Sequence, residues 1–229
     1  MKCELIKVCG MRDPDNIRAV KALGIDLMGL IFWPKSPRYV SSIPVHAGII
    51  PDEAEEEIVK TINSGCKHVG VFVDEMPQTV ITHAYNYHLD YIQLHGNESP
   101  TYIDNLKRTL IPDILPDVKI IKALSIREAD DVKRWQQYDG YADLLLFDTK
   151  CKCVGGSGEQ FDWSVLDHYD GNIPFILSGG IGPDDTQRIK DYHHPMCIGI
   201  DLNSRFEDEP ALKNVKKLDD FIKKIRTNE

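Results

Sequence analysis

Short apolar runs alternate along this chain with stretches whose apolar residues recur at helical spacing. The runs are "LIKVC" (5–9), "LMGLIF" (27–32), "HVGVFV" (68–73), "YIQLHG" (91–96), "VKIIKAL" (118–124), "DLLLFD" (143–148), "PFILSGG" (174–180) and "CIGIDL" (197–202). Their length and bounding turn residues suit buried strands. Between and after them lie helical segments at 14–24, 53–65, 77–88, 99–110, 127–138, 162–169, 183–192 and 210–226. Segment 14–24 opens on proline and ends on glycine, the asymmetry that helix termini prefer. Segments 43–52 and 111–117 carry two prolines each and read as loops.

Strand-helix alternation predicts a parallel sheet. Eight such units in 229 residues fit a (β/α)8 TIM barrel occupying 1–229 as one domain. A doubly wound sheet shares the local pattern and is the alternative.

In a barrel the working residues stand at the C-terminal ends of strands. Here those ends carry Cys9-Gly10, Asp74, His95-Gly96, Ser125, Asp148-Thr149, Ser178-Gly179-Gly180 and Asp201 to Ser204. The strands behind them are Val, Ile and Leu. That polarity is expected of an active-site rim over a packed core.

Composition narrows the function. At 42% hydrophobic and 28% charged, the chain has material for a large core. A formal net charge of −9 argues against nucleic acid as partner. An acidic chain that binds an acidic ligand must gather its cations locally. Lys35 and Arg38, then Lys150 and Lys152, then Arg205 do so. The N-terminus lacks a signal-peptide pattern, and no run reaches the ~18 apolar residues of a membrane span. The cysteines at 3, 9, 66, 151, 153 and 197 form no regular framework and read as reduced and cytosolic.

Three candidate chemistries follow. "GGSG" (155–158), "SGG" (178–180) and "NS" (203–204) offer backbone N–H groups at adjacent strand ends. The loops after the last barrel strands are a recurrent phosphate site. Each piece alone also serves ordinary turns. Cys9 shares a strand face with Lys7 and Leu5. If that face is the interior, Lys7 lies buried beneath Cys9 and needs an acid, with Asp148 or Asp201 as candidates. A cation there would favour the thiolate; the plainer reading is a small buried hydrophobe. Asp148 ends an apolar run around the ring from Cys9, as a rim acid or a turn cap. Thiol and carboxyl on opposite sides of a ligand suit paired proton transfers. His95 is more simply a structural hydrogen-bonder. "CKC" (151–153) resembles half a metal site but has no second pair, so no metal is expected.

Taken together, "IKVCGM", "GLIFWPKSPRYVS", "VGVFV", "IQLHGNES", "LLLFDT", "GGSGEQFDW", "LSGGIGPDD" and "GIDLNSRFE" resemble the phosphoribosylanthranilate isomerase family of tryptophan biosynthesis, from residue 5 to about 225. The resemblance implies an Amadori rearrangement of N-(5-phosphoribosyl)anthranilate to the 1-deoxyribulose 5-phosphate derivative. It implies Cys9 as general base and Asp148 as general acid. Arg38 then binds the anthranilate carboxylate from the Trp33–Arg38 loop, which follows the second strand and is stiffened by Pro34 and Pro37. Trp33 or Tyr39 is placed to cover the aromatic ring, and His95 and Asp201 line the pocket. The phosphate falls to Gly155, Gly156, Ser157, Gly158, Gly179, Gly180, Asn203 and Ser204. No cofactor is implied, and the expected partner is the small phosphorylated substrate, in a monomer or homodimer. Arg205 stands where the family usually has a small residue, and Cys151 and Cys153 are unusual for it. A different phosphosugar isomerase or epimerase barrel, or a non-catalytic barrel binding a phosphorylated ligand, are the competing readings. A related histidine-pathway isomerase relies on paired aspartates, which Cys9 argues against.

Overall fold

The computed structural model describes residues 5–41, 66–149 and 161–227. The helix expected at 53–65, the cations Lys150 and Lys152, the "CKC" cysteines and the glycine loop Gly155–Gly158 lie outside the described residues. Eight parallel strands close into a barrel in chain order. They are β1 (Leu5–Cys9), β2 (Leu27–Ile31), β3 (Lys67–Phe72), β4 (Tyr91–Leu94), β5 (Lys119–Ile126), β6 (Leu144–Thr149), β7 (Phe175–Ser178) and β8 (Cys197–Leu202). The β1–β8 pairing closes the ring and sets Lys7 directly beside Asp201.

Side-chain alternation divides the core in two. One set, including Leu27, Val69, Tyr91, Ile121, Leu146 and Ile176, fills the barrel. The residues between them, such as Ile6, Val8, Leu145, Phe147 and Phe175, pack outward under the helices. Both sets are apolar because a parallel sheet in a barrel is covered on both faces.

The outer layer contains α1 (Pro14–Lys21), α2 (Pro77–Asn86), α3 (Pro100–Leu110), α4 (Ala129–Val132), α5 (Thr186–Asp191) and α6 (Val215–Arg226). Local chemistry sets their starts. Asp13 caps α1 by accepting from the Asn16 N–H at 2.7 Å, and Ser99 caps α3 by accepting from Tyr102. Proline occupies the first turn of α1, α2 and α3, where no helical donor is lost.

Four expected helices differ. Segment 162–169 is a 3-10 helix over Trp163–His168, with Asp162 accepting from the Ser164 N–H. Segment 127–138 is α-helical only at 129–132 and continues as a 3-10 helix to Tyr138, which is buried and donates to the Glu98 carbonyl. Segment 183–192 opens with a 3-10 turn before α5. Helix 210–226 begins only at Val215, because Asn214 caps it by accepting from Lys217. The residues ahead of it form a small antiparallel hairpin, β9 (Glu207–Glu209) and β10 (Leu212–Lys213). The side-chain amide of Asn16 on α1 clamps that hairpin by bonding both the N–H and the carbonyl of Lys213 at 2.8 Å. Among the described residues no helix is long and apolar enough to cross a membrane.

Candidate active site

The thiol of Cys9 stands at the end of β1, opposite Gly29 on β2. A Cβ at Gly29 would lie 2.7 Å from the Cys9 sulfur, so glycine there makes room for the thiol. One strand period below, Lys7 is fully buried and its Nζ lies 2.8 Å from Asp201 Oδ1. The other Asp201 oxygen accepts from Ser178 Oγ at 3.0 Å. Of the two acids expected for Lys7, the structure selects Asp201, its neighbour across the closing strand pair. Burial alone would pull the Lys7 ammonium down, but Asp201 and Cys9 together hold it above its ordinary value.

The thiol behaves differently from the sequence expectation. Burial pushes the Cys9 thiol up, and the downward pulls of Lys7 and Lys213 do not overcome it. The neighbouring cation therefore moderates the thiol without making it a ready thiolate, because desolvation acts on the whole anion while each cation acts on part of its field.

Across the ring, Asp148 on β6 is flanked by Ser125 on β5 and Ser178 on β7. His95, just beyond β4, places Nε2 3.4 Å from Asp148 Oδ2. The fully buried Gln93, two residues back on the same inward face, lies 3.0 Å from His95 Nδ1.

The loop after β2 is a compact double turn. Ser36 N–H donates to the Trp33 carbonyl and Tyr39 N–H to the Ser36 carbonyl. Pro34 and Pro37 take the second position of each turn, where a fixed φ is favourable. The loop delivers Arg38, whose Nε lies 2.8 and 3.0 Å from the two carboxylate oxygens of Glu207 and whose Nη2 also pairs with that group. Glu207 is paired with the fully buried Lys213 as well, and Lys213 donates to Asn203 Oδ1 at 2.9 Å. Burial would raise the Glu207 carboxyl, but the hydrogen bonds from Arg38 and Lys213 hold it below its ordinary range. Burial outweighs Glu207 at Lys213 and lowers its ammonium. The stem of Arg38 crosses Gly10: a Cβ there would come within 2.5 Å of Arg38 Cδ. Gly10 also has φ +79°, so the Cys-Gly pair is required on both counts.

The strand end after β7 is glycine-rich. Gly179 and Gly180 have φ of +100° and +66°. A Cβ on Gly179 would strike the Thr149 carbonyl, whereas the space beside Gly180 is open for 4 Å. Arg205 Nε lies 3.5 Å from the Gly180 carbonyl.

These groups meet in one cavity of about 210 Å³. Of the site residues expected from sequence, Cys9, His95, Asp148, Asp201, Gly179, Gly180, Asn203 and Ser204 all line it. Arg38 stands beside it, held by Glu207. Arg205, left open by the sequence, faces it. Trp33 and Tyr39 are not among its walls. Gln93, Glu207 and Lys213 were missed. The inward alternation from Gln93 to His95 is a legible signal for the first. The other two depend on a hairpin whose second strand, with Lys213, reads in sequence as helix.

A closed (β/α)8 barrel whose rim gathers a thiol, a carboxyl, an imidazole and two positive-φ glycines around one cleft belongs to the class of barrel proteins with a rim active site. The comparisons specify which. Residues 6–224 match the family described as N-(5'phosphoribosyl)anthranilate (PRA) isomerase. N-(5'-phosphoribosyl)anthranilate isomerase from Parabacteroides distasonis is 43% identical over 221 residues, covering 96% of this chain and 93% of the relative. The crystal structure of phosphoribosyl anthranilate isomerase from Thermus thermophilus superposes with a TM-score of 0.76 at 25% identity, over 96% of this chain and 98% of that one. A phosphoribosyl anthranilate isomerase in complex with reduced 1-(o-carboxyphenylamino)-1-deoxyribulose 5-phosphate matches at 26% identity and a TM-score of 0.72, over 97% and 98%. The chain belongs to the phosphoribosylanthranilate isomerase family. Its activity is an intramolecular oxidoreduction, the Amadori rearrangement of the tryptophan pathway.

Proposed function

We propose that Cys9 and Asp148 perform this rearrangement as general base and general acid on N-(5'-phosphoribosyl)anthranilate. The observation that carries the reading is that both line one cleft from different strands, together with Gly179 and Gly180. Asp148 gives its proton to the furanose ring oxygen. The bond from that oxygen to C1 of the sugar breaks as the anthranilate nitrogen lone pair forms a C=N bond, leaving a cationic Schiff base. That charge acidifies C2, and Cys9 takes its proton through its thiolate form, the minor form of the free site. The C–H electrons form the C1=C2 bond of an enolamine and neutralise the nitrogen. Tautomerisation moves the C2 hydroxyl proton to C1 and leaves the ketone. Every step is a proton transfer, which positioned side chains supply.

Arg38 binds the substrate carboxylate through the part of its guanidinium that Glu207 leaves unused: Nη1 has no partner among the described residues. The planar fork suits a carboxylate, and fixing it through Glu207 lowers the entropy lost on binding. The phosphate sits at Gly179, Gly180, Asn203 and Ser204, completed by Gly155–Gly158, with Arg205 as an added cation. Asp201 lines the pocket as the counter-ion of Lys7.

The test is turnover. Substrate is generated in situ from anthranilate and phosphoribosyl pyrophosphate by the transferase that makes it, and its emission is followed after adding the chain. Decay to the carboxyphenylamino-deoxyribulose 5-phosphate product is expected. Decay no faster than in buffer contradicts the assignment.

A further inference from the structure

The amide of Gln93 is fully buried, and its Oε1 has no hydrogen-bond partner among the described residues. Its Nε2 bonds only to His95 Nδ1, at 3.0 Å. A buried amide with an orphaned acceptor is less favourable than an apolar side chain of similar shape. Gln93 therefore contributes little to the barrel core as packing, and what it does is act on the imidazole.

That action is specific. An amide N–H can bond Nδ1 only if Nδ1 presents its lone pair, so a neutral His95 carries its proton on Nε2. Nε2 is the atom 3.4 Å from Asp148 Oδ2. Gln93, His95 and Asp148 all line the cleft.

We infer that Gln93 is a positioning residue that locks His95 in its Nε2–H tautomer, so that the imidazole donates to Asp148 as that carboxyl gives up its proton. The inference rests on Asp148 being the general acid. The acid proton sits on the oxygen that does not face His95. As it passes to the ring oxygen, the O–H electron pair stays on the carboxylate. The Nε2–H bond tightens onto the growing charge and stabilises the transition state more than the ground state. With the other tautomer, a lone pair would face the developing anion and oppose it.

Two measurements test this. In the 15N spectrum of the full chain, the imidazole resonances that vanish in His95→Ala should show the Nε2–H tautomer. In Gln93→Met they should shift toward a mixture of tautomers. Kinetically, Gln93→Met should lower kcat about tenfold with KM within about twofold, and His95→Ala should lower kcat by about 10². The double variant should be no slower than His95→Ala alone, because Gln93 acts only through the ring. A wild-type His95 protonated on Nδ1, or losses that multiply in the double variant, would overturn the inference. Those outcomes stand apart from the acid assignment, which fails only if Asp148→Asn retains its turnover.

Discussion

At the scale of single residues, the site turns on how burial and charge compete at Cys9. Burial raises the thiol, and Lys7 and Lys213 only moderate the rise. For an acid whose neutral form is the thiol, a raised value means that the anion gains population only as pH climbs past the ordinary value of 9.0. The difference in absorbance at 240 nm between the wild-type chain and Cys9→Ser should therefore show a thiolate step above pH 9, with none at neutral pH. Lys7→Met removes a downward pull and should move that step higher; a step that stays put or falls would show that Lys7 does not act on the thiol. The sequence made the Lys7–Cys9 stacking legible because strand alternation is strict. It did not reveal the balance, since the depth of burial depends on the closed ring and on Gly29 making room across the strand pair.

Among the elements, the hairpin at 207–213 carries the largest correction. Its second half, from Pro210, reads as the start of a helix because "PALKNVKKL" has helical spacing and a leading proline. Tertiary pairing wins: Glu207 and Lys213 are drawn into a buried cluster with Arg38, and Asn214 supplies a better cap four residues later. Glu207→Ala leaves two cations facing each other and should cost about 3–5 kcal/mol. KM should rise more than tenfold, since Arg38 loses its anchor. Chemical denaturation and a KM measurement check both, and an unchanged KM would detach Arg38 from the substrate. The pH dependence has a definite sign. Because the Glu207 carboxyl is held below its ordinary value of 4.5, its stabilisation is present above that pH and lost as pH falls through the folded-state value. Glu207→Gln should therefore flatten the acid limb of the Tm-versus-pH curve. The double turn after β2 was legible in part: its prolines foretold a stiff loop bearing Arg38, while Glu207, 169 residues further on, could not be paired with it from sequence.

Across the whole molecule, the barrel follows from eight apolar runs at regular spacing, and all eight strands form within a few residues of where the runs lie. Another buried ion pair braces the rim from outside. Lys122, on the outward face of β5, donates to the Leu94 and Gly96 carbonyls and pairs with Glu98 at 2.8 Å. Glu98 in turn accepts from the Asp74 and Gly96 N–H groups. This network fixes the strand ends that present His95. Lys122→Met alone should destabilise by about 3–5 kcal/mol, and Lys122→Met with Glu98→Leu by less than the sum of the single changes. Additive losses would mean that the pair does not act as a unit. No periodicity announces such a pair, because a lysine inside an apolar strand breaks the very pattern that identifies the strand.

The central claim is that a thiol and a carboxyl on different strands share the proton transfers of one rearrangement. The measurement that meets it most directly is kcat for Cys9→Ser and Asp148→Asn, followed by loss of substrate emission, with binding of the reduced product analogue measured alongside. Each variant should lose about 10²–10⁴ in kcat while binding the analogue nearly as well as the wild-type chain. Near wild-type kcat in either variant would contradict the role assigned to that residue.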